Sequence, residues 1–400
     1  MKIKKYNYSF FKFLILATFF GFSSAIFASQ PEFFNVGFNQ AWFNNSFSNQ
    51  WINPQYDNLE TQRVLDLTKN SHSQIIRVWL FEGMNSTSLI WKEGKVAGLH
   101  PDFLKNFEDF LKEVKKRDLL AYPTFFAYPT DALEQPMDPN VKTQWWNLMN
   151  NKNGGLDALK EALRPLFVLM NDTEYASNIF GIDLINEIDN SIIHNQFENQ
   201  WYGANKFICE LRNSIRDASP SPKVAIPVTA SIGWPYIPFK SRGAENIILD
   251  PNPHPNCVDF WDIHIYDNEG DIANCQKINE VAKKYNKKIY LGEFGQFSKS
   301  YDDNLQLNST KNFIKNAKNC GFSGALAWRL KDVRDGHNPE ARFSFYSWGK
   351  TRPAYDYIMK FNETEQRNFE TLATTKHSPT RKIATVQKKL KKKRVPKKTP

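Results

Sequence analysis

Short apolar runs alternate with longer amphipathic segments along most of the chain, and this pattern predicts its elements. Eight runs rich in β-branched and aromatic residues have the length and composition of buried strands. They are Phe33–Asn39, Gln74–Phe81, Leu119–Phe126, Asn178–Asn186, Lys223–Ala230, Val258–Tyr266, Lys288–Glu293 and Gly321–Trp328. Segments with polar residues at helical spacing are Pro101–Arg117, Gly155–Met170, Asn195–Asp217, Ile272–Tyr285, Leu305–Asn319 and Pro353–Phe361. Eight strands separated by helices predict an α/β chain folded as a single (β/α)8 TIM barrel.

Polar and aromatic side chains stand at the carboxyl ends of these predicted strands. Such ends meet on one face of a (β/α)8 barrel, where the chemistry of these proteins is located. Glu187 directly follows the fourth apolar run, and Glu293 ends the seventh within Gly292–Gly295. The other candidates at strand ends or in the loops that follow are Arg77, Asn186, His264, Tyr266, Trp328, Trp79 and Trp42.

Two carboxylates that face each other across a barrel mouth suit glycoside hydrolysis. One carboxyl group donates a proton to the departing oxygen while the other attacks the anomeric carbon, and retaining enzymes place them about 5–5.5 Å apart. The fourth and seventh strands lie opposite each other, so Glu187 and Glu293 are expected to meet over a sugar. Arg77 is expected to keep Glu293 ionised, and Tyr266 to donate its hydroxyl to the same carboxylate.

This set of residues resembles glycoside hydrolase family five and its clan of (β/α)8 retaining glycosidases. The shared motifs are Arg on strand two, Asn-Glu on strand four, His-x-Tyr on strand six, Gly-Glu-Phe-Gly on strand seven and Trp on strand eight. The resemblance implies that Glu187 is the acid/base and Glu293 the nucleophile. It also implies that Asn186 donates to the sugar 2-hydroxyl, that Trp328 is the platform for the reacting sugar, and that no cofactor or metal is needed.

By the same resemblance Arg77, His264 and Tyr266 support the catalytic pair. The sequence departs from many members of the family at strand three, where 122–128 contains no histidine. Mannanase-like members also lack that histidine and carry the Arg-x-Trp seen at Arg77 and Trp79. The resemblance therefore implies a secreted retaining endo-β-glycanase acting on a β-1,4-linked polysaccharide, and favours mannan over cellulose.

Several alternatives remain open from the residues alone. Glu82 fits either a subsite residue or a loop carboxylate, and the loop carboxylate is favoured. Buried Asp183 is interpreted as a structural residue, and His264 also suits a hydrogen-bonded histidine of the barrel core. The stretch 180–187 resembles the strand-four signature of family-eighteen chitinases, although Ile185 replaces an expected Asp. A non-catalytic carbohydrate-binding barrel is the other alternative.

The net charge of +10 over 400 residues is concentrated at the two ends of the chain. Residues 1–28 contain four Lys and 371–400 contain eleven Lys or Arg, with no acid in either, which leaves 37 basic against 42 acidic residues in between. We therefore expect an acidic catalytic domain over 29–370 that binds no nucleic acid, with polysaccharide or oligosaccharide as its substrate. The tail over 371–400 is expected to be a disordered solvated arm, with adhesion to anionic surfaces as the alternative, and the protein is expected to be a monomer.

The first 28 residues have the pattern of a secretory signal peptide. Lysines precede the apolar stretch Phe13–Phe22, and small residues follow it, although an uncleaved anchor is the alternative. Export permits disulfides among the four cysteines, for which three complete pairings exist, and buried free thiols are equally compatible with the sequence. The four are Cys209, Cys257, Cys275 and Cys320.

Overall fold

The computed structural model describes eleven parts of the chain, which contain seven of the eight predicted strands in full and most of the fifth. These parts are 33–43, 51–82, 87–127, 147–189, 201–219, 225–233, 257–266, 272, 275–296, 302–332 and 342–376. The predicted signal peptide, the basic tail beyond Lys376 and the start of the fifth predicted strand lie outside the described residues.

Twelve strands occur in this part of the chain, and eight of them form one parallel sheet. In chain order they are β1 Asn35–Asn39, β2 Ile75–Glu82, β3 Leu89–Lys92, β4 Lys95–Leu99, β5 Leu120–Ala127, β6 Ile182–Asn186, β7 Val228–Thr229, β8 Trp261–Ile265, β9 Ile289–Phe294, β10 Gly324–Ala327, β11 Tyr346–Ser347 and β12 Lys350–Thr351. The sheet order is β7-β6-β5-β2-β1-β10-β9-β8, and β3–β4 and β11–β12 are separate antiparallel hairpins.

The sheet closes on itself between β7 and β8. The Ile232 amide donates to the Asp262 carbonyl at 3.0 Å, and the His264 amide donates to the Ile232 carbonyl at 2.8 Å. Ile232 also forms a parallel bridge with Ile263, so the two edge strands of the sheet are joined. The predicted (β/α)8 barrel is therefore confirmed.

Helices connect the barrel strands, and polar side chains fix where several of them begin. In the described residues they are α1 Asn58–Asn70, α2 Pro101–Lys116, α3 Gly155–Met170, α4 Trp201–Asp217, α5 Cys275–Lys284, α6 Asp303–Asn319 and α7 Pro353–Lys376. Asp57 accepts hydrogen bonds from the first amides of α1, and Asp302 does the same for α6. An aspartate at this position satisfies amides that have no partner within the helix, which sets the first turn.

Two helices differ from the sequence-based expectation. The sequence predicts no helix over α1, because the buried side of this helix includes polar Glu60, Thr61 and Thr68 and therefore lacks a clear apolar pattern. The last helix runs to Lys376 rather than ending at Phe361, and so passes the expected domain boundary at residue 370. The Phe369 ring packs 5.7 Å from the Phe33 ring, which extends the contact of α7 with the barrel beyond the predicted end.

The fifth strand is also shorter than expected, since β7 contains only Val228 and Thr229.

The interior of the barrel has an apolar end and a polar centre. Around the amino ends of the strands an apolar cluster is buried, formed by Ile75, Leu120, Tyr122, Phe180, Phe260, Tyr290 and Leu326. Above it lie buried polar side chains that include Arg77, Asp183 and Asp262. The strand ends therefore present charged groups on a tightly packed apolar base.

All four cysteines are paired. Cys209 of α4 bonds to Cys257, just before β8, and Cys275 at the start of α5 bonds to Cys320, just after α6. The structure thereby selects one of the three pairings that the sequence leaves open, and excludes free thiols. No helix in the described part of the chain is long and apolar enough to span a membrane.

Removing either disulfide is expected to destabilise the barrel. The bonds close segments of 48 and 45 residues, and a crosslink of that span restricts the unfolded chain. We expect the Cys275→Ser/Cys320→Ser variant to lose roughly 2–5 kcal/mol of unfolding free energy. Urea unfolding of oxidised and reduced wild-type protein is the matched comparison, and equal midpoints for the two forms would contradict the prediction.

Candidate active site

Glu293, the fifth residue of β9, lies in a pocket of hydrogen-bond donors. Its Oε1 accepts a hydrogen bond from Arg77 Nη1, and its Oε2 accepts one from the Tyr266 hydroxyl at 2.6 Å. The residue is 3% exposed, so both contacts are shielded from bulk water. Arg77 and Tyr266 thus fix the orientation of the carboxylate, as expected from their positions at strand ends.

Arg77, from β2, joins this carboxylate to two other strands, β1 and β6. The guanidinium also donates to Asn39 Oδ1 at 2.9 Å, to Asp183 Oδ2 at 2.7 Å and to Asn186 Oδ1 at 2.7 Å. Burial by itself lowers the pKa of Arg77, but the neighbouring carboxylates of Glu293 and Asp183 outweigh burial and raise the pKa. The cation is therefore permanent, and its position is set from several sides.

Glu187 follows β6 in a left-handed backbone conformation, with φ of 49°. This conformation costs a non-glycine residue roughly 1–2 kcal/mol. Ser231 supports it, because the Ser231 hydroxyl accepts from the Glu187 amide at 2.9 Å and donates to Asp183 Oδ2 at 2.9 Å. Asp183 also accepts from the Ser231 amide at 3.0 Å. Buried Asp183 therefore has the structural surroundings expected for it, and it helps to hold the backbone at Glu187.

His264 of β8 lies between the two glutamates. Its Nδ1 is 2.9 Å from Glu187 Oε1 and 3.5 Å from Glu293 Oε2. Burial by itself lowers the pKa of His264, but Glu293, Asp262 and Glu187 together raise it to about 10. The imidazole thus lies between the two carboxyl groups, whose negative charges favour its protonated form.

Opposing effects act on the pKa of Glu293. Burial has the largest effect and raises this pKa, whereas His264, Arg77 and the Tyr266 hydroxyl lower it. Burial outweighs these contributions, so the pKa of Glu293 is raised above its ordinary value, and its cationic neighbours favour the ionised form. Glu187 is more accessible, with 22% of its side chain exposed.

Three tryptophans pack together beside the glutamates. Trp42, Trp79 and Trp328 lie with their ring centres 5.6–5.7 Å apart, and each is less than 10% exposed. The described residues bring all nine candidates to one face of the barrel, as the strand ends predict. Of the other tryptophans in the sequence, Trp145, Trp146 and Trp234 lie outside the described residues.

Glu82 is a third carboxylate at this face, and its interpretation as a loop residue is wrong. It is the last residue of β2, has φ of 55°, and accepts a hydrogen bond from Trp42 Nε1 at 3.0 Å. Burial raises the pKa of Glu82 to about 8, which the bond from Trp42 only partly offsets. The sequence signal was its place at the end of an apolar run, the same signal that identified Glu187.

Three residues that are not among the sequence-predicted candidates also support the site, namely Asn39, Ser231 and Asp262. Asn39 donates to the Gly292 carbonyl at 2.9 Å as well as accepting from Arg77. Each of these residues lies in or beside an apolar run, where a single polar residue gives no sign of its partner.

Glu187, His264 and Glu293 each bring a donor atom within 4.8 Å of the others, a spacing that also suits metal ligands. The charge at the site opposes such binding. A cation would have to displace the Arg77 guanidinium from Glu293 and the proton from His264, whose pKa is raised to about 10. The donor set therefore fits proton chemistry better than a resident metal.

Replacing Glu82 by Gln is expected to change how stability depends on pH. A carboxyl group whose pKa is raised on folding stabilises the folded state below its ordinary value of 4.5, and this contribution is lost as pH rises through about 8. Glu82→Gln should therefore match wild type near pH 4 and exceed it in unfolding free energy above pH 8. Urea unfolding across this range is the measurement, with Glu161→Gln on the exposed side of α3 as control; a constant difference between wild type and Glu82→Gln would contradict it.

Comparison with known proteins gives matches by structure only. No protein-family model matches the sequence, and no curated protein matches it. Among solved structures, an exo-β-1,4-mannosidase from Opitutaceae bacterium strain TAV5 matches 86% of this chain with a TM-score of 0.64 and 17% identity. The chain spans 62% of the length of that protein.

Two further structures cover a similar share of the chain. A glycoside hydrolase family 5 protein from Streptomyces cattleya, in complex with Manβ1-4GlcNAc, matches 82% of this chain and 80% of its own, with a TM-score of 0.60 and 13% identity. The β-mannanase from the blue mussel Mytilus edulis matches 78% of this chain and 90% of its own, with a TM-score of 0.54 and 18% identity. The chain therefore has the (β/α)8 fold of the glycosidases of family five and its clan.

Proposed function

We propose that this protein is a retaining β-glycanase that uses Glu187 and Glu293 as its catalytic pair. The observation that carries the proposal is the approach of these two side chains, which come from β6 and β9 on opposite sides of the barrel. One carboxylate oxygen of Glu187 lies within 4.8 Å of one carboxylate oxygen of Glu293. This spacing is close to the 5–5.5 Å of retaining glycosidases and too short for the 6.5–9.5 Å with which inverting enzymes admit a water.

Glu293 has the surroundings that a nucleophile needs. Two donors, Arg77 and Tyr266, hold its carboxylate in one orientation, and the charges of Arg77 and His264 favour its ionised form. In the first step a Glu293 oxygen forms a bond to the anomeric carbon while the bond from that carbon to the leaving oxygen breaks. The negative charge of the carboxylate is consumed in this step, so burial of Glu293 favours the covalent intermediate.

Glu187 is accessible to solvent, as an acid/base residue must be. It gives its proton to the leaving oxygen in the first step, and in the second it takes a proton from the water that attacks the anomeric carbon and releases Glu293. Its partial exposure lets the leaving sugar depart and water enter. The left-handed backbone that Ser231 supports places the carboxyl group over the barrel mouth.

The neighbouring side chains suit a sugar in the site. Asn186 Oδ1 accepts from Arg77, so its amide nitrogen is oriented to donate to the 2-hydroxyl. The packed rings of Trp42, Trp79 and Trp328 form a rigid aromatic wall, and such surfaces bind the apolar faces of sugars. The site therefore combines an ionic centre with an aromatic side.

We propose that the substrate is β-1,4-mannan and that the protein is exported. Arg77 and Trp79 form the strand-two motif of mannanase-like members, and the Opitutaceae and mussel structures are described as a mannosidase and a mannanase. Two disulfides suit an oxidising compartment. The chitinase alternative gives Glu293 no role, and is less consistent with the donors gathered around that carboxylate.

Alanine substitution of either glutamate tests the proposed chemistry. We expect Glu187→Ala to lower kcat on soluble β-mannan by about a hundred- to ten-thousandfold, the range for loss of a general acid, and Glu293→Ala to lower it at least as much. Glu280→Ala is the matched control, because Asn279-Glu280 is another Asn-Glu pair but lies on α5. A non-catalytic binding barrel would show no activity in wild type, and normal turnover in either variant would refute the assignment.

Product configuration tests the mechanism independently of the substrate. A double displacement keeps the β configuration, so NMR of early products should show the β anomer before mutarotation, whereas initial α products would exclude a retaining mechanism. Reducing-end release from mannan, carboxymethyl cellulose, xylan and mixed-linkage glucan should be greatest for mannan. A greater rate on carboxymethyl cellulose would overturn the substrate assignment while leaving the catalytic pair intact.

A further inference from the structure

Asp262 lies directly behind His264 and takes no part in the reaction proposed above. It belongs to β8, two residues before the histidine, and both side chains point into the barrel with no more than 1% exposure. Asp262 Oδ1 is 3.5 Å from His264 Nε2, on the side of the ring opposite Glu187. The imidazole therefore has a carboxyl group at each of its two nitrogens.

The barrel makes specific room for this aspartate. A Cβ placed on Gly292, in the neighbouring strand β9, would stand 1.6 Å from Asp262 Oδ1 and 2.2 Å from its Cγ. Any other residue at 292 would therefore displace the carboxylate. On the far side, the Tyr122 hydroxyl of β5 donates to Asp262 Oδ2, so the carboxylate lies between the Gly292 backbone of β9 and a hydrogen-bond donor from β5.

Two buried polar atoms at this contact have no hydrogen-bond partner. They are Asp262 Oδ1 and His264 Nε2, and they face each other. An unsatisfied buried carboxylate oxygen is costly, and a neutral Nε2 without a proton would place two acceptors in contact. A proton on Nε2 satisfies both atoms, and closing the 3.5 Å separation by a few tenths of an ångström makes an ordinary hydrogen bond.

We propose that Asp262 is a positioning residue that keeps both nitrogens of His264 protonated, so that Nδ1 can only donate to Glu187. Glu187 Oε1 is then always an acceptor, and the proton of the Glu187 carboxyl group is confined to Oε2, the oxygen turned away from the imidazole. The direction of this hydrogen bond thereby places the acidic proton toward the glycosidic oxygen. Asp262 touches neither substrate nor the reacting atoms.

The charges around His264 determine the sign of the expected effect. Glu187, Glu293, Asp262 and Asp183 surround it as acids, Arg77 is the neighbouring cation, and Tyr122 stands beyond Asp262. Without Asp262 the imidazole loses the negative charge beside Nε2, so its pKa falls and it loses a proton more readily. The positive charge next to Glu187 and Glu293 is then lost, and since that charge favours their ionised forms, both of their pKa values rise.

The direct test measures the protonation state of the His264 imidazole by NMR. In protein labelled with ¹⁵N at its histidines, the His264 signals are assigned by their absence in His264→Asn. We expect wild-type His264 to stay doubly protonated from pH 5 to 8, and His264 in Asp262→Asn to lose a proton within that range. A doubly protonated imidazole throughout this range in folded Asp262→Asn would overturn the proposal.

The kinetic test follows the two glutamates, and it rests on the function proposed above. We expect both limbs of the pH profile of kcat/KM to move up by about one pH unit in Asp262→Asn, the size of an ordinary environmental shift. Asp262→Asn should add no shift in a His264→Asn background, because the aspartate acts through the histidine. Asp259→Asn is the matched control, since Asp259 precedes the same strand but bonds Arg212 and Arg216, and its profile should be that of wild type.

A second variant keeps the proposal testable if Asp262→Asn does not fold. Tyr122→Phe removes one hydrogen bond from Asp262 and keeps the ring in the apolar cluster, so we expect smaller changes in the same directions. Unchanged His264 signals and an unchanged profile in folded Tyr122→Phe would then count against the proposal. Inactivity of wild type on every glycan would reject the proposed function alone, since the imidazole spectra require no turnover.

Discussion

The site depends on the burial of one guanidinium at the centre of the barrel. Arg77 is fully buried and donates to Asn39, Asp183, Asn186 and Glu293, which belong to three other strands. A buried cation is costly unless it is paired with counter-charges and hydrogen-bonded, so the stability of Arg77 in this position depends on these partners. Arg77 thereby links the geometry of the proposed nucleophile to the residue beside the proposed acid/base. Loss of Asp183 or Glu293 would remove a counter-charge from a low-dielectric interior.

The repeating fold could be predicted from the sequence because its signal is distributed over many residues. Each strand of the barrel is a short apolar run, and residues at the carboxyl end of such a run lie at the barrel mouth. This rule predicts the positions of Glu187, Glu293 and His264 from the sequence. The same logic applied to Glu82, but its contact with Trp42 depends on a left-handed backbone at the strand end. The sequence does not predict this conformation, because position 82 is a glutamate, whereas left-handed residues are usually glycine or asparagine.

Other features depend on contacts between distant segments, and the sequence is silent about these. Asp262 is a lone acid within an apolar strand, and its meaning comes from the space above Gly292 and the hydroxyl of Tyr122. The pairing of Cys209 with Cys257 depends on how α4 lies against the start of β8. The full length of α7 depends on Phe369 meeting Phe33 across the molecule. In each case the determining neighbour is remote in sequence, so local patterns cannot identify it.

The closure of the barrel has a consequence for its motions. Only Val228 and Thr229 form β7, and the join to β8 continues through the bridge of Ile232 with Ile263. A seam held by few backbone hydrogen bonds opens at a lower free-energy cost than the long pairing of β2 with β5. Ser231, which supports the backbone of Glu187, lies on this seam, whereas Glu293 lies on the six-residue strand β9. The proposed proton donor thus lies on the side of the barrel that opens more easily, and the proposed nucleophile lies on the more rigid side.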